Sequence, residues 1–285
     1  MIKILDPGFY STIQDSGRFG YRDYGVPVSG AMDSYSSNFA NLLLGNSSNA
    51  AVIEATMTMP KLKMMRPANL AIAGASVKAK VNNVAVDSHT VIQLNTNDVL
   101  SFGRLKQGFR AYIAVNGGFK TETVLGSQSL YKGITELVKI LKNDLLAFNS
   151  AQSKSIEQYA SVKYDESIIE SSELKVLKGP EFEKLTEKQQ KTLFNSGFKV
   201  SKYNSRMAYR LTSAIQNNLE PILTAPVLPG TVQLTPSGQL IILMRDCQTT
   251  GGYPRVLQLT EKAINILSQR TTGDEIKFRL TEIYL

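Results

Sequence analysis

From Leu70 to Val115 the chain alternates short apolar runs with turn residues, and this texture limits the possible folds more than any other feature. The runs are Leu70-Ala71-Ile72-Ala73-Gly74, Val77 to Val81, Thr90 to Leu94, Asp98 to Gly103 and Arg110 to Val115. Short, β-branched-rich runs at regular spacing predict strands of a barrel or sandwich. The second half repeats the texture with Glu173 to Leu177, Gly197 to Val200, Gly230 to Leu234, Leu240 to Met244 and Glu275 to Leu280. The expectation is a mainly β (α+β) chain with a few helices in two strand-rich domains, residues 1–150 and 172–285. A polar, Ser-rich stretch over 150–172 reads as a linker or mobile loop.

Three helices are expected. Asp33 caps one that runs to Gly45-Asn46, with Tyr35, Phe39, Leu42 and Leu43 on its apolar face. A second runs from Pro180 to Asn195 with Phe182, Leu185 and Leu193 inward. A third spans Thr260 to Gln269 with Ala263, Ile264 and Leu267 inward.

Composition narrows the chemistry. The chain of 285 residues is 42% hydrophobic, enough for a sizeable core. Its net charge of +8 suits an anionic ligand or an acidic partner protein. The basic residues are scattered among acidic ones, as in Glu181 to Lys191, which argues against a nucleic-acid stripe. A single cysteine, Cys247, excludes an internal disulfide framework and reads as a packed thiol in a reducing compartment. The opening Met1 to Gly8 breaks too early for a signal peptide, and the longest later apolar run, Leu240 to Met244, is strand-length, so the expected location is the cytoplasm with no membrane contact. The one histidine, His89, sits in a polar gap between strands and is expected as an exposed turn residue. With one histidine, serine-histidine hydrolysis and multi-histidine zinc sites are disfavoured, and no resident metal site is expected.

Three clusters remain. The first runs from Thr12-Ile13-Gln14-Asp15-Ser16-Gly17-Arg18 through Tyr21-Arg22 to Val28-Ser29-Gly30-Ala31-Met32-Asp33. Arg18 and Arg22 are suited to clamp a carboxylate or phosphate, and Asp15 to accept a proton or hold a metal; alternatively Asp15 and Arg18 pair as a structural turn. In the second, Asn204 to Leu211, a strand would put Arg206, Ala208 and Arg210 on one face, aimed at an anion or forming a solvated basic edge. The third, Arg245 to Pro254, follows an apolar strand with polar side chains and Gly251-Gly252, so Gln248, Thr249 and Thr250 could face a ligand whose approach the glycines permit, or the segment is a demanding turn. It lacks the Gly-Lys-Ser/Thr of a Walker loop.

Gln14-Asp15-x-Gly17-Arg18-x-Gly20-Tyr21, Gly25-Val26-Pro27-x-Ser29-Gly30-Ala31-Met32-Asp33 and Gln248-Thr249-Thr250-Gly251-Gly252-Tyr253-Pro254 occur in an order that resembles the family named variously KipA, allophanate hydrolase subunit 2, biotin-dependent carboxyltransferase and the C subunit of 5-oxoprolinase. The resemblance extends through Ala114-Val115-Asn116-Gly117-Gly118 and Val124-Leu125-Gly126-Ser127. Two departures stand out: Ser205 replaces the acidic residue that precedes the family's arginine, and Glu54 to Pro60 lacks a glycine.

The resemblance implies two cyclophilin-like β-barrel domains and an ATP-hydrolysing enzyme component. It would act with a 5-oxoprolinase B subunit (KipI-like), and with an A subunit, to activate the lactam of 5-oxoproline for hydrolysis to L-glutamate. ATP with Mg2+ would be a substrate shared with the partner. No covalently attached biotin is expected, since Leu62-Lys63-Met64 has only a superficial likeness to a biotinyl site. On residue chemistry and motif membership, Arg18, Arg206 and Arg210 fall to anion or phosphate contacts, Asp15 and Asp246 to metal or proton handling, and Gln248, Thr249 and Tyr253 to the lactam. Gln14, Ser29 and Thr250 complete the substrate-binding set. The alternatives are half of a biotin-dependent carboxyltransferase acting on urea or another amide, and a KipA-like regulator that antagonises a kinase inhibitor.

Overall fold

The computed structural model describes residues 1–149 and 162–281. Residues 150–161 of the expected linker lie outside the described residues. Contacts divide the chain into two units, one of Met1–Arg18 and Ser29–Ile169 and another of Phe19–Val28 and Glu170–Leu285, so residues 19–28 group with the C-terminal half. The chain is mainly β, with two barrel-like sheets and a few helices.

In the first unit a ten-stranded sheet is built around two long strands, Ala68–Val81 and Val99–Val115, paired antiparallel from Leu70↔Val115 to Val81↔Leu100. The sequence texture suggested separate short strands here. They are continuous because the register shifts between Gly74, Ser76, Val77 and Ala79 let one strand bend without ending. Gly74 has φ +94, and a Cβ there would lie 2.6 Å from the Arg110 carbonyl, so only glycine fits the bend. Strand Val52–Thr56 joins Val99–Val115 on one side and Tyr10–Gln14 on the other, which sets Gln14 beside Val52 at the end of the pairing. Inward residues of these strands, among them Ile4, Ile13, Ile53, Leu62, Ile72, Leu100 and Ile113, form one core with almost no solvent exposure.

Helix Ser34–Leu43 starts as the sequence predicts, with the Asp33 side chain accepting from Ser36 N–H at 3.0 Å. Its buried side includes Phe39 and Ala40, but Leu42 is exposed, contrary to the expected face. His89 also differs from expectation. It is half-buried, stacked on Tyr164 with ring centroids 4.2 Å apart and edge-on to Phe39 at 5.6 Å. Tyr164 is tied in turn to the helix start, its hydroxyl lying 2.6 Å from Ser36 Oγ.

The second unit closes into a barrel in the order Glu173–Lys178, Arg255–Leu259, Thr231–Leu234, Gln239–Leu243, Ala208–Ala214, Phe198–Asn204 and Glu275–Leu280. Its first and last strands seal it in parallel, Glu173↔Lys277 to Val176↔Leu280, so no sheet edge is left open. Leu174, Val200, Leu211, Val232, Ile242, Leu257 and Ile276 are fully buried. Helix Glu261–Ser268 is capped by Thr260 as expected. The expected helix Pro180 to Asn195 is instead a short 3-10 turn, Phe182–Lys184, followed by helix Glu187–Asn195. The chain is extended at Leu185, and Thr186 starts a new helix through a reciprocal capping box with Gln189.

Burial of His89 lowers its pKa from the ordinary value of 6.5, opposed by the nearby Glu166 carboxylate. Because the folded value is depressed, the contribution of the neutral ring to stability is present above the unfolded pKa and is lost as pH falls through the folded value. As this is the chain's one histidine, its proton NMR titration is unambiguous. The midpoint should lie below 6.5 and move back toward it in Tyr164→Leu, which opens the stack; a midpoint at or above 6.5 in the parent would refute the packing described.

Candidate functional site

In the first unit Asp15 directly follows the edge strand Tyr10–Gln14 and is 4% exposed. Its Oδ1 accepts from Gly17 N–H at 2.8 Å, Ser127 Oγ at 2.7 Å and Ser129 Oγ at 2.6 Å, and its Oδ2 accepts from Gln128 N–H at 2.6 Å. A carboxylate so saturated ties two loops together. Arg18, 1% exposed, works on the same loops from the other side, donating through Nε to the Val124 carbonyl at 3.4 Å and through Nη2 to the Ser129 carbonyl at 2.6 Å. The segment they grip begins with a tight turn in which Leu125 and Gly126 both have positive φ, the conformation that carries a two-residue hairpin turn.

The neighbouring Ser29-to-Asp33 loop is seated on this lock. Ala31 N–H donates to the Asp15 carbonyl at 3.0 Å, and a Cβ on Gly30 would lie 2.9 Å from the Ser16 backbone. Glu54, buried on strand Val52–Thr56, accepts from Met32 N–H at 2.7 Å and from the Tyr112 hydroxyl at 2.9 Å. Ser29 is left-handed, 1% exposed, and its hydroxyl has no hydrogen-bond partner among the described residues. Gln14 donates to Thr12 Oγ1 at 3.1 Å and to the Leu130 carbonyl at 3.3 Å.

In the second unit Arg206 and Asp246 form a buried two-point pair, Nε to Oδ2 at 2.8 Å and Nη2 to Oδ1 at 3.1 Å. The Asp246 N–H also donates to the Arg206 carbonyl at 2.9 Å. Asp246 thus meets the arginine from 40 residues away. The expectation that Arg206 and Arg210 share a strand face fails: the strand begins at Ala208, Arg206 lies before it and is buried, and Arg210 is exposed over the Tyr203 ring at 5.7 Å.

Behind Asp246, the segment Cys247 to Tyr253 is held by Arg22, whose Nη2 donates to the carbonyls of Val227 and Thr249. Thr250 pairs with Pro226 in a two-residue ribbon. Gln233 Nε2 donates to the Tyr253 carbonyl at 3.4 Å, and a Cβ on Gly251 would lie 2.5 Å from that nitrogen, so a side chain there would displace the Gln233 amide. Among the buried polar atoms of this region without a geometric hydrogen-bond partner in the described residues are the donors Arg22 Nη1 and Arg245 Nε and the acceptor Gln248 Oε1; the Arg22 guanidinium also acts on the Cys247 thiol. Cys247 is buried and unpaired; burial pushes its thiol up to about 11 despite the adjacent Arg22, so it is protonated at neutral pH. Tyr253 is 39% exposed at the end of the segment.

The structure therefore sorts the sequence candidates. Asp15, Gln14, Arg18 and Ser29 gather in the first unit; Asp246, Arg206, Gln248, Thr249, Thr250 and Tyr253 gather in the second, with Arg210 apart at the surface. Arg22 and Gln233 emerge as positioning residues of the second cluster. Ser127, Gln128 and Ser129 do the same in the first, and only Ser127 fell inside a motif.

The family described as "Carboxyltransferase domain, subdomain A and B" matches residues 24–280. The chain belongs to this family. It is 34% identical over 98% of its length to the C subunit of Escherichia coli 5-oxoprolinase, covering 90% of that protein, and 30% identical over 99% of its length to the C subunit of Haemophilus influenzae 5-oxoprolinase, covering 92%. The solved Kluyveromyces lactis urea amidolyase matches 97% of the chain at a TM-score of 0.84 and 26% identity, and the chain spans 18% of that much longer protein. Among the described residues no helix is long and apolar enough to cross a membrane.

The Arg206–Asp246 pair should behave as a coupled buried ion pair of this carboxyltransferase-family barrel. Arg206→Met or Asp246→Leu alone leaves one buried charge and should each cost about 3 kcal/mol or more, while the double variant should lose clearly less than their sum. Urea unfolding midpoints at constant slope measure this, and strict additivity would contradict the pairing.

Proposed function

We propose that this chain is the C subunit of an ATP-dependent 5-oxoprolinase and that it reads the lactam through Arg22 and Gln248. The observation that carries the reading is the pair of unmet atoms beside the Cys247-to-Tyr253 segment, one donor and one acceptor. A lactam presents the complement, a carbonyl oxygen and an N–H. Unmet buried polar groups cost about 1–3 kcal/mol each, so a ligand that satisfies both gains affinity and orientation together. Both atoms lie below the surface, so the segment must shift to admit a ligand, and the adjacent Gly251-Gly252 supplies the needed backbone freedom.

A lactam carbonyl is a poor electrophile, and transfer of the ATP γ-phosphoryl group to its oxygen makes that oxygen a good leaving group. An O–P bond forms as the bond to ADP breaks. Arg22 Nη1 would take one lone pair of the lactam oxygen and leave the other for attack. Gln248 Oε1 would hold the N–H as positive charge grows on nitrogen. A first water then adds to the ring carbon and the C–N bond breaks, the nitrogen leaving as the amine and the carbon becoming an acyl phosphate. A second water cleaves the acyl phosphate to give the carboxylate and free phosphate.

The phosphates and Mg2+ belong chiefly to the partner in this scheme. Arg18 and Arg206 are already engaged by internal acceptors, which leaves exposed Arg210 as the arginine of the three best placed to reach a phosphate. The relatives named as C subunits support a chain that works in a complex with other subunits, and a B-type protein is the partner proposed here. The likeness to urea amidolyase supports a second reading, carboxyl transfer to urea, because an amide-reading edge suits urea equally.

ADP release by the chain mixed with its B-type partner decides between them. The oxoprolinase reading expects ADP release that needs both proteins and 5-oxoproline, and a kcat/KM at least tenfold lower, about 1.4 kcal/mol of transition-state binding, in Gln248→Leu or Arg22→Gln. Unchanged turnover in both variants removes the proposed edge. Stimulation by urea instead selects carboxyl transfer, and a stable complex without turnover selects a regulatory role.

A further inference from the structure

A cleft of about 280 Å³ opens in the first unit, where the starts of strands meet the ends of others. It lies between the Arg66–Asn69 entry into strand Ala68–Val81, the exit of strand Val91–Leu94, Asn116 and the end of strand Leu145–Phe148. At about 30 Å³ per water-sized group the space suits a ligand of about nine non-hydrogen atoms.

The lining has one chemistry. Asn69, Gln93, Asn95, Asn116 and Asn149 contribute carboxamides, Arg66 contributes the cation, and among the described residues no acidic side chain lines the cleft. Arg66 is fixed in place: Nη2 donates to the Phe148 carbonyl at 2.6 Å, and the guanidinium lies over the Phe148 ring, 4.0 Å from its centroid. Its Nε is buried with no hydrogen-bond partner among the described residues. Arg206 and Arg255, by contrast, face the carboxylates of Asp246 and Glu181. A guanidinium held over a ring, with one donor short of an acceptor and carboxamides lining the same cleft, is prepared for an anion that arrives from outside.

We infer that this cleft binds a small carboxylate bearing a further amide or hydroxyl group, with Arg66 taking the carboxylate and the carboxamide side chains taking the rest. The amides discriminate by hydrogen bonding in both directions, which a bare phosphate or sulfate would not exploit. The site is independent of the Arg22–Gln248 edge.

The test uses the full chain and isothermal titration calorimetry with N-acetylglycine, its uncharged analogue N-acetylglycinamide, and inorganic phosphate. N-acetylglycine should bind, the uncharged amide at least tenfold more weakly, and phosphate more weakly than N-acetylglycine. Arg66→Gln should weaken N-acetylglycine at least tenfold. Because Arg66 also holds the Phe148 carbonyl, Gln93→Glu provides a second variant: it changes an exposed strand residue, places a carboxylate in the cleft, and should abolish the binding with the barrel intact. Absence of N-acetylglycine binding, equal binding of acid and amide, stronger binding of phosphate, or binding unchanged in Gln93→Glu would each overturn the inference.

Discussion

The Asp15 carboxylate is a charge placed where water barely reaches, and it is tolerable there because Gly17, Ser127, Gln128 and Ser129 all donate to it. Those donors come from two loops more than 100 residues apart in sequence, so satisfying the charge fixes the distance between them. Arg18 repeats the arrangement with opposite polarity, giving its protons to the Val124 and Ser129 carbonyls. The Ser29-to-Asp33 loop is then seated on the Asp15 carbonyl and on Glu54. Much of the motif-rich start of the chain serves to make one loop conformation the only satisfied one.

The second unit follows the same logic. Asp246 and Arg206 neutralise each other under the loop that follows strand Gln239–Leu243, and Arg22 ties that loop to Val227. With these charges committed to architecture, the proposed reading assigns the ligand to less conspicuous atoms, Arg22 Nη1 and Gln248 Oε1. A site that reads neutral amide chemistry needs such a frame, because one misplaced hydrogen bond costs more than a weak ligand returns.

Much of the fold was legible in local signals. Asp33 and Thr260 cap helices because their side chains need only a partner three residues on, and alternation of apolar residues marked the strands of both halves. The second helix was overextended although its true start was written in Thr186 and Gln189; the apolar Phe182 and Leu185 masked the turn before it. Long strands read as short ones because a bulge around Gly74 resembles a turn in sequence. The partners of the candidate residues are not legible in sequence: the carboxylate that Arg206 meets is Asp246, 40 residues away, and the His89–Tyr164 stack likewise joins distant segments. Residue chemistry marks which groups are costly to bury, and only the three-dimensional pairing tells whether the cost is met by the protein or left for a ligand.

Hydrogen exchange on an Asp15→Asn variant tests the central claim, that buried charge sets the loop geometry, most directly. The substitution keeps the side chain's shape and removes its charge. The amides of Gly17 and Gln128 should lose protection while those of strands Val52–Thr56 and Val99–Val115 retain it, with a stability loss of about 2 kcal/mol. Protection at Gly17 and Gln128 that matches the parent would contradict the account.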